Sequence, residues 1–114
     1  MNRISTHILD TVQGKPAKDV AVRLEKQDVQ GNWQPLASAR ADQDGRCVQL
    51  LQEGGNLGAG IYRLIFDVAN YFAAQSIDTL YPVVEVTFHV RAGESHLHIP
   101  LLLSPNGYTT YRGS

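Results

Sequence analysis

The feature that most constrains this chain is a hydrophobic period of two that recurs along its length, interrupted by short clusters of Gly, Pro, Asn and Asp. Alternate side chains of an extended strand face opposite ways, so this period describes strands with one buried and one open face. Val20, Val22 and Leu24 point one way, and Ala21, Arg23 and Glu25 the other. Tyr62, Leu64 and Phe66 share a face; so do Val84, Val86, Phe88 and Val90, with Glu85, Thr87 and His89 opposite. Turns are marked at Gly14-Lys15-Pro16, Gly31-Asn32 and Asp44-Gly45, and by the glycine-rich stretch GGNLGAG. The exception is DVANYFAAQS, where Asp67 is placed to cap a short helix favoured by Ala69, Ala73, Ala74 and Gln75. Roughly seven or eight short strands with one helical insert predict an all-β protein, an antiparallel sandwich, with a β-barrel as the alternative.

The 114 residues suffice for a single domain spanning 1–114. Its formal net charge of -1 provides no basic field for nucleic acid or an anionic membrane surface. With 43% hydrophobic and 18% charged residues, the composition is that of a packed core, not a disordered chain. The single cysteine, Cys47, excludes an intrachain disulfide and a cysteine-rich zinc site, and suits a reducing compartment. MNRISTHILD has no apolar run of signal-peptide length and no stretch is long enough to span a bilayer as a helix. The expectation is therefore a cytoplasmic protein, or a periplasmic one if the chain is a processed mature form.

The chemistry concentrates near the end, in HLHIPLLLS. Alternation puts Leu97, Ile99, Leu101 and Leu103 on a core face, and His96, His98, Pro100 and Leu102 on the other. Two imidazoles beside a proline and a leucine are not ordinary solvent surface; the mixture predicts a covered face, most simply by a second copy of the chain. Three readings of the histidine pair are open. They are half-exposed strand residues; or two ligands of a metal, with His7 or His89 adding a third; or they supply an imidazole general base. The last needs a cationic or hydrogen-bonding partner for an oxyanion, and His7 in STHILD and Arg46 in DGRC are candidates. Cys47, next to Arg46, has no nucleophile-type surroundings and reads as a structural thiol; Ser104, in a Ser-Pro turn, reads as structural too. The chain contains no G-x-S-x-G elbow, no P-loop and no G-x-G-x-x-G loop.

Taken together, STHILDTVQGKPA, DGRC, YFAAQ, YPVVEVTF and HLHIPLLLSPNGYTTYRGS resemble the transthyretin-like 5-hydroxyisourate hydrolases over nearly the whole chain, most specifically in Tyr111-Arg112-Gly113-Ser114. LLLSPNGYTT also resembles the thyroid-hormone carrier transthyretin, which shares the fold. The hydrolase pattern has a histidine in STH, an arginine after DG, the His-x-His pair and a Tyr-Arg-Gly-Ser ending, and this sequence has each of them; the carrier lacks the histidine–arginine set and runs on further. Leu97 stands where the family usually has tyrosine, and alternation turns it away from the imidazoles.

The resemblance implies a transthyretin-like β-sandwich of two antiparallel four-stranded sheets with one short helix. It implies a homotetramer in which edge strands pair into dimers and two dimers meet face to face, with active sites in the channel between them and the tail lining the pocket. The implied reaction is hydrolysis of 5-hydroxyisourate to 2-oxo-4-hydroxy-4-carboxy-5-ureidoimidazoline in urate degradation, with neither cofactor nor metal. His98 or His7 would act as general base and Arg46 would stabilise the oxyanion. His96, Tyr111 and Ser114 would complete the substrate contacts. Two rivals predict other behaviour: a carrier binds a flat aromatic ligand in the same channel without turnover, and a metal-dependent hydrolase loses activity to a chelator.

Overall fold

Each alternating segment becomes a strand in the computed structural model, which describes residues 3–48, 50 and 58–113. Ser114 and most of the GGNLGAG stretch lie outside the described residues. In chain order the elements are β1 (Arg3–Asp10), β2 (Lys15–Pro16), β3 (Ala21–Gln27), β4 (Trp33–Arg40), β5 (Arg46–Cys47), β6 (Gly60–Asp67), α1 (Val68–Ala73), β7 (Val83–Val90), β8 (His96–Ser104) and β9 (Gly107–Thr110). One sheet has the order β2-β1-β8-β9, with β5 also paired to β1; the other has the order β4-β3-β6-β7. No strand pairing joins the two sheets among the described residues, so the architecture is a sandwich and not a barrel.

The period-two faces meet in one core. Ile4, Ile8, Leu101 and Leu103 from the first sheet pack with Val22, Leu24, Tyr62, Leu64, Phe66 and Val84 from the second. Burying apolar area of this kind is the main favourable contribution to such a fold. Leu97 is buried with them, as its parity requires. Two polar residues share this interior and both are satisfied. Thr6 Oγ1 donates to the Ile99 carbonyl at 2.5 Å. Asp10 accepts the backbone N–H groups of Val12 and Gln13, each at 3.0 Å, and the Tyr71 hydroxyl at 2.7 Å. The last bond ties α1 to the end of β1, and burial with the Asp10 contact pushes the Tyr71 phenol up to about 12.

Three features depart from the sequence reading. The pairing is antiparallel except between β1 and β8, which run parallel from Arg3↔His96 to Asp10↔Leu103. Alternation records which side a residue faces, not the direction of its neighbour, so this was not encoded in the pattern. The two-residue strands β2 and β5 both pair with β1, making this a five-stranded sheet. The third concerns Asp67: it sits at the N-cap of α1, but its side chain makes no cap bond and instead accepts from Asn70 Nδ2 at 2.6 Å. The helix is held by its buried Val68 and Phe72.

Candidate active site

The parallel register of β1 on β8 builds the site. It sets Arg3 opposite His96, Ser5 opposite His98 and His7 opposite Pro100, all on the outward parity of both strands. On the other flank of β1, β5 brings Arg46 opposite His7. That placement depends on a tight turn. Asp42 Oδ1 accepts the N–H groups of Asp44, at 2.9 Å, and Arg46, at 3.0 Å. Gly45 has φ +75° and its carbonyl accepts the Ile8 N–H at 2.7 Å. A Cβ on Gly45 would lie 2.4 Å from the Ile8 carbonyl oxygen, so only glycine lets the turn lie this close to β1.

A cavity of about 210 Å³ opens on this face, lined by Arg3, Ser5, Thr6, Arg46, Val48, His96 and His98. Among the described residues, two guanidiniums and two imidazoles thus share a wall with no carboxylate, and neither Arg3 nor Arg46 makes an ion pair. Such a wall favours an anion, or an oxygen that acquires negative charge. A larger cavity of about 600 Å³ lies at the other end of β1, between Lys15, Lys18, Arg40 and α1, and shares no residue with the first.

His98 is the most tightly specified group. Its ring is half-buried and its Nδ1 shares a 2.9 Å hydrogen bond with Ser5 Oγ. Burial lowers its pKa below the ordinary imidazole value, and the nearby His7, Arg46, His96 and Arg3 lower it further. The ring is therefore neutral at neutral pH, the protonation state a base requires. The returning tail packs against it: the Gly113 N–H donates to the His98 carbonyl at 2.8 Å. A Cβ on Gly113 would come within 2.6 Å of His98 Cδ2.

The other expected residues are placed less uniformly. His96 is exposed at the cavity rim. His7 stands beside Arg46 but does not line the cavity; its Nε2–H donates to the Asp44 carbonyl at 2.9 Å, bracing the turn that carries Arg46. Tyr111 follows Thr110, which pairs with Leu101, and precedes Gly113, which bridges to His98; it is exposed and outside the cavity wall. Ser114 lies outside the described residues. Pro100, expected to need a partner's cover, is already buried within one chain, and Leu102 is half-buried. Cys47 is buried and turned to the core, where desolvation, aided by Asp42, pushes its thiol up to about 11. Among the described residues no group of three or more His, Cys, Asp or Glu is arranged to hold a metal ion. Arg3 and Ser5 were missed by the sequence reading, although they share the parity of His7 in RISTHILD.

Comparison with known proteins gives the family of the whole chain. The model of the HIUase/Transthyretin family matches residues 4–113. A 5-hydroxyisourate hydrolase from Ralstonia nicotianae is 45% identical, with all of both chains covered. One from Salmonella typhi is 45% identical over 99% of this chain and 82% of its own. Among solved structures, Klebsiella pneumoniae 5-hydroxyisourate hydrolase superposes with a TM-score of 0.87 at 33% identity, covering both chains fully. Sea bream transthyretin in complex with thyroxine gives 0.90 at 34% identity, covering 97% of this chain and 94% of its own. With a family model spanning nearly every residue and relatives 45% identical over nearly all of this chain, the chain belongs to the HIUase/transthyretin family.

Proposed function

We propose that the protein is a cyclic-amide hydrolase that opens 5-hydroxyisourate, giving 2-oxo-4-hydroxy-4-carboxy-5-ureidoimidazoline in urate degradation. The observation that carries this reading is the half-buried His98, its pKa lowered by burial, sharing with Arg46 a cavity whose described lining residues include no carboxylate. The curated relatives named as 5-hydroxyisourate hydrolases support the substrate.

The chemistry follows from the side chains. Water attacks a ring carbonyl while His98 accepts its proton. Arg46 donates to the oxygen that becomes negative, a task suited to a planar fork of N–H groups. The ring C–N bond then breaks, and the imidazolium returns the proton to the leaving nitrogen. A general base supplies about 10²- to 10⁴-fold and an oriented oxyanion donor a similar factor. No cofactor is required by these steps. His7 assists by fixing the Arg46 turn, and His96, Tyr111 and Ser114 contact the substrate.

The assembly belongs to the same reading: a homotetramer with edge strands paired into dimers and active sites at the dimer–dimer contact. β7 and β9 end their respective sheets, and Leu80, Tyr81, Val83 and Tyr108 leave apolar surface exposed near these edges. The Tyr81 and Tyr108 rings meet edge to face at 5.4 Å. Exposed apolar surface at open sheet edges favours pairing with another copy.

The test is to generate 5-hydroxyisourate with urate oxidase and follow its ultraviolet absorbance. Catalytic amounts of the protein should speed its decay, and a chelator should leave that rate unchanged. Saturable binding without faster decay would instead identify a carrier, and loss of activity to chelator a metal-dependent hydrolase.

A further inference from the structure

We propose that Ser5 is a positioning residue that selects the tautomer of His98: its hydroxyl accepts a hydrogen bond from Nδ1–H, leaving the lone pair of Nε2 as the base in the cavity. The inference deepens the hydrolase reading above and rests on it for its catalytic consequence.

The geometry begins with register. Parallel pairing sets Ser5 directly opposite His98, and the 2.9 Å contact between Oγ and Nδ1 is the one hydrogen bond of either side chain among the described residues. Ser5 is only 7% exposed, so water competes weakly for that hydroxyl. Gly113 bridges to His98 across the strand pair, and there is no room for a Cβ between them. The ring is therefore confined by the tail while one nitrogen is engaged by β1. Only its other nitrogen, Nε2, remains for substrate or water.

A neutral imidazole has one protonated nitrogen, and the bond made by one nitrogen fixes the role of the other. If Ser5 donated to Nδ1, Nε2 would carry the hydrogen and could not accept a proton from water. If Ser5 accepts, Nε2 is basic, and the same bond survives when the ring becomes imidazolium because Nδ1 stays protonated throughout. A hydroxyl performs this role without a charge. A carboxylate at the same position would attract the imidazolium and hold the ring protonated. His7 differs in the matching respect: the Asp44 carbonyl can only accept, so Nε2 of His7 is a fixed donor. The same rule leaves Nδ1 of His7 with its lone pair, so the two histidines are told apart by place: His98 lines the cavity and His7 does not.

The test compares wild type with Ser5→Ala and Ser5→Thr by nitrogen-15 NMR of the imidazoles, at a pH above their titration, alongside steady-state turnover of 5-hydroxyisourate. In wild type the His98 proton should reside on Nδ1. Ser5→Ala should shift it toward Nε2 and lower kcat about tenfold with little change in KM, the scale of losing one hydrogen bond. Ser5→Thr, which keeps the hydroxyl on a strand-compatible side chain, should restore the Nδ1 proton and most of the turnover. A wild-type proton on Nε2 would overturn the proposal, and so would unchanged kcat in Ser5→Ala. If wild type did not open 5-hydroxyisourate at all, the hydrolase reading would fail, while the NMR comparison would still decide what Ser5 does to the ring.

Discussion

At the scale of residues, the proposed mechanism divides the work between His98, which accepts a proton, and Arg46, which stabilises charge. Replacing His98 with Asn retains a hydrogen-bonding side chain but removes the titrating base, so turnover should fall by about two orders of magnitude or more. The core face of β8, formed by Leu97, Ile99, Leu101 and Leu103, is untouched, so the thermal unfolding midpoint of this variant should change little. Arg46→Lys should also lose activity, because an ammonium cannot reproduce the two-pronged donor; measuring kcat/KM for both variants tests the division of roles. Gly113 offers a different kind of test. Its φ is unremarkable, yet a Cβ would meet His98 Cδ2 at 2.6 Å and the His98 carbonyl at 3.2 Å. Gly113→Ala should therefore displace the imidazole and reduce kcat on the order of tenfold to a hundredfold, since small misplacements of a catalytic group are costly. An unchanged kcat would show that the ring tolerates the methyl group.

At the scale of elements, the site is a product of strand register and one turn. Gly45 lets the Asp42–Arg46 turn press against β1, and its positive φ is unfavourable for any other residue. Gly45→Ala should destabilise the fold by about 1–3 kcal/mol, read by chemical denaturation, and lower activity through the displaced Arg46. Much of this scale was legible in advance. The long strands follow from alternation, because a half-buried strand writes its two faces into the sequence: Val20, Val22 and Leu24, or Leu97, Ile99, Leu101 and Leu103, are all buried where parity places them. The short helix was equally visible. What alternation does not encode is partnership. The parallel pairing of β1 with β8 joins residues more than ninety positions apart, as in the Ser5–His98 bond, and no local pattern marks it. Ser5 and Arg3 thus escaped notice although their parity matched His7. The strands β2 and β5 are two residues long, too short to show any period, and they exist because β1 offers them its flank. His7, Arg46, His96 and His98 stood out by chemistry alone; only the register shows which of them share a cavity.

At the scale of the whole molecule, the proposed assembly covers the face that carries the site. The protein should sediment at about four times the mass of its 12.6 kDa chain, since edge pairing gives dimers and facing dimers give tetramers. A stable, fully active monomer would show that the cavity of one chain is sufficient. The proposed chemistry, however, depends on one group, a neutral imidazole at His98 serving as the base that opens 5-hydroxyisourate. Burial and neighbouring positive groups lower its pKa below 6.5, so the base form persists into mildly acidic solution and is lost only as pH falls through that lowered value. The most direct measurement is kcat/KM for 5-hydroxyisourate opening across about pH 5 to 8, in wild type and His98→Asn side by side. Wild type should show a plateau at neutral pH and an acid limb whose midpoint lies below 6.5, and the variant should be slow throughout and lack that limb. A variant as fast as wild type with the same acid limb would place the base on another residue.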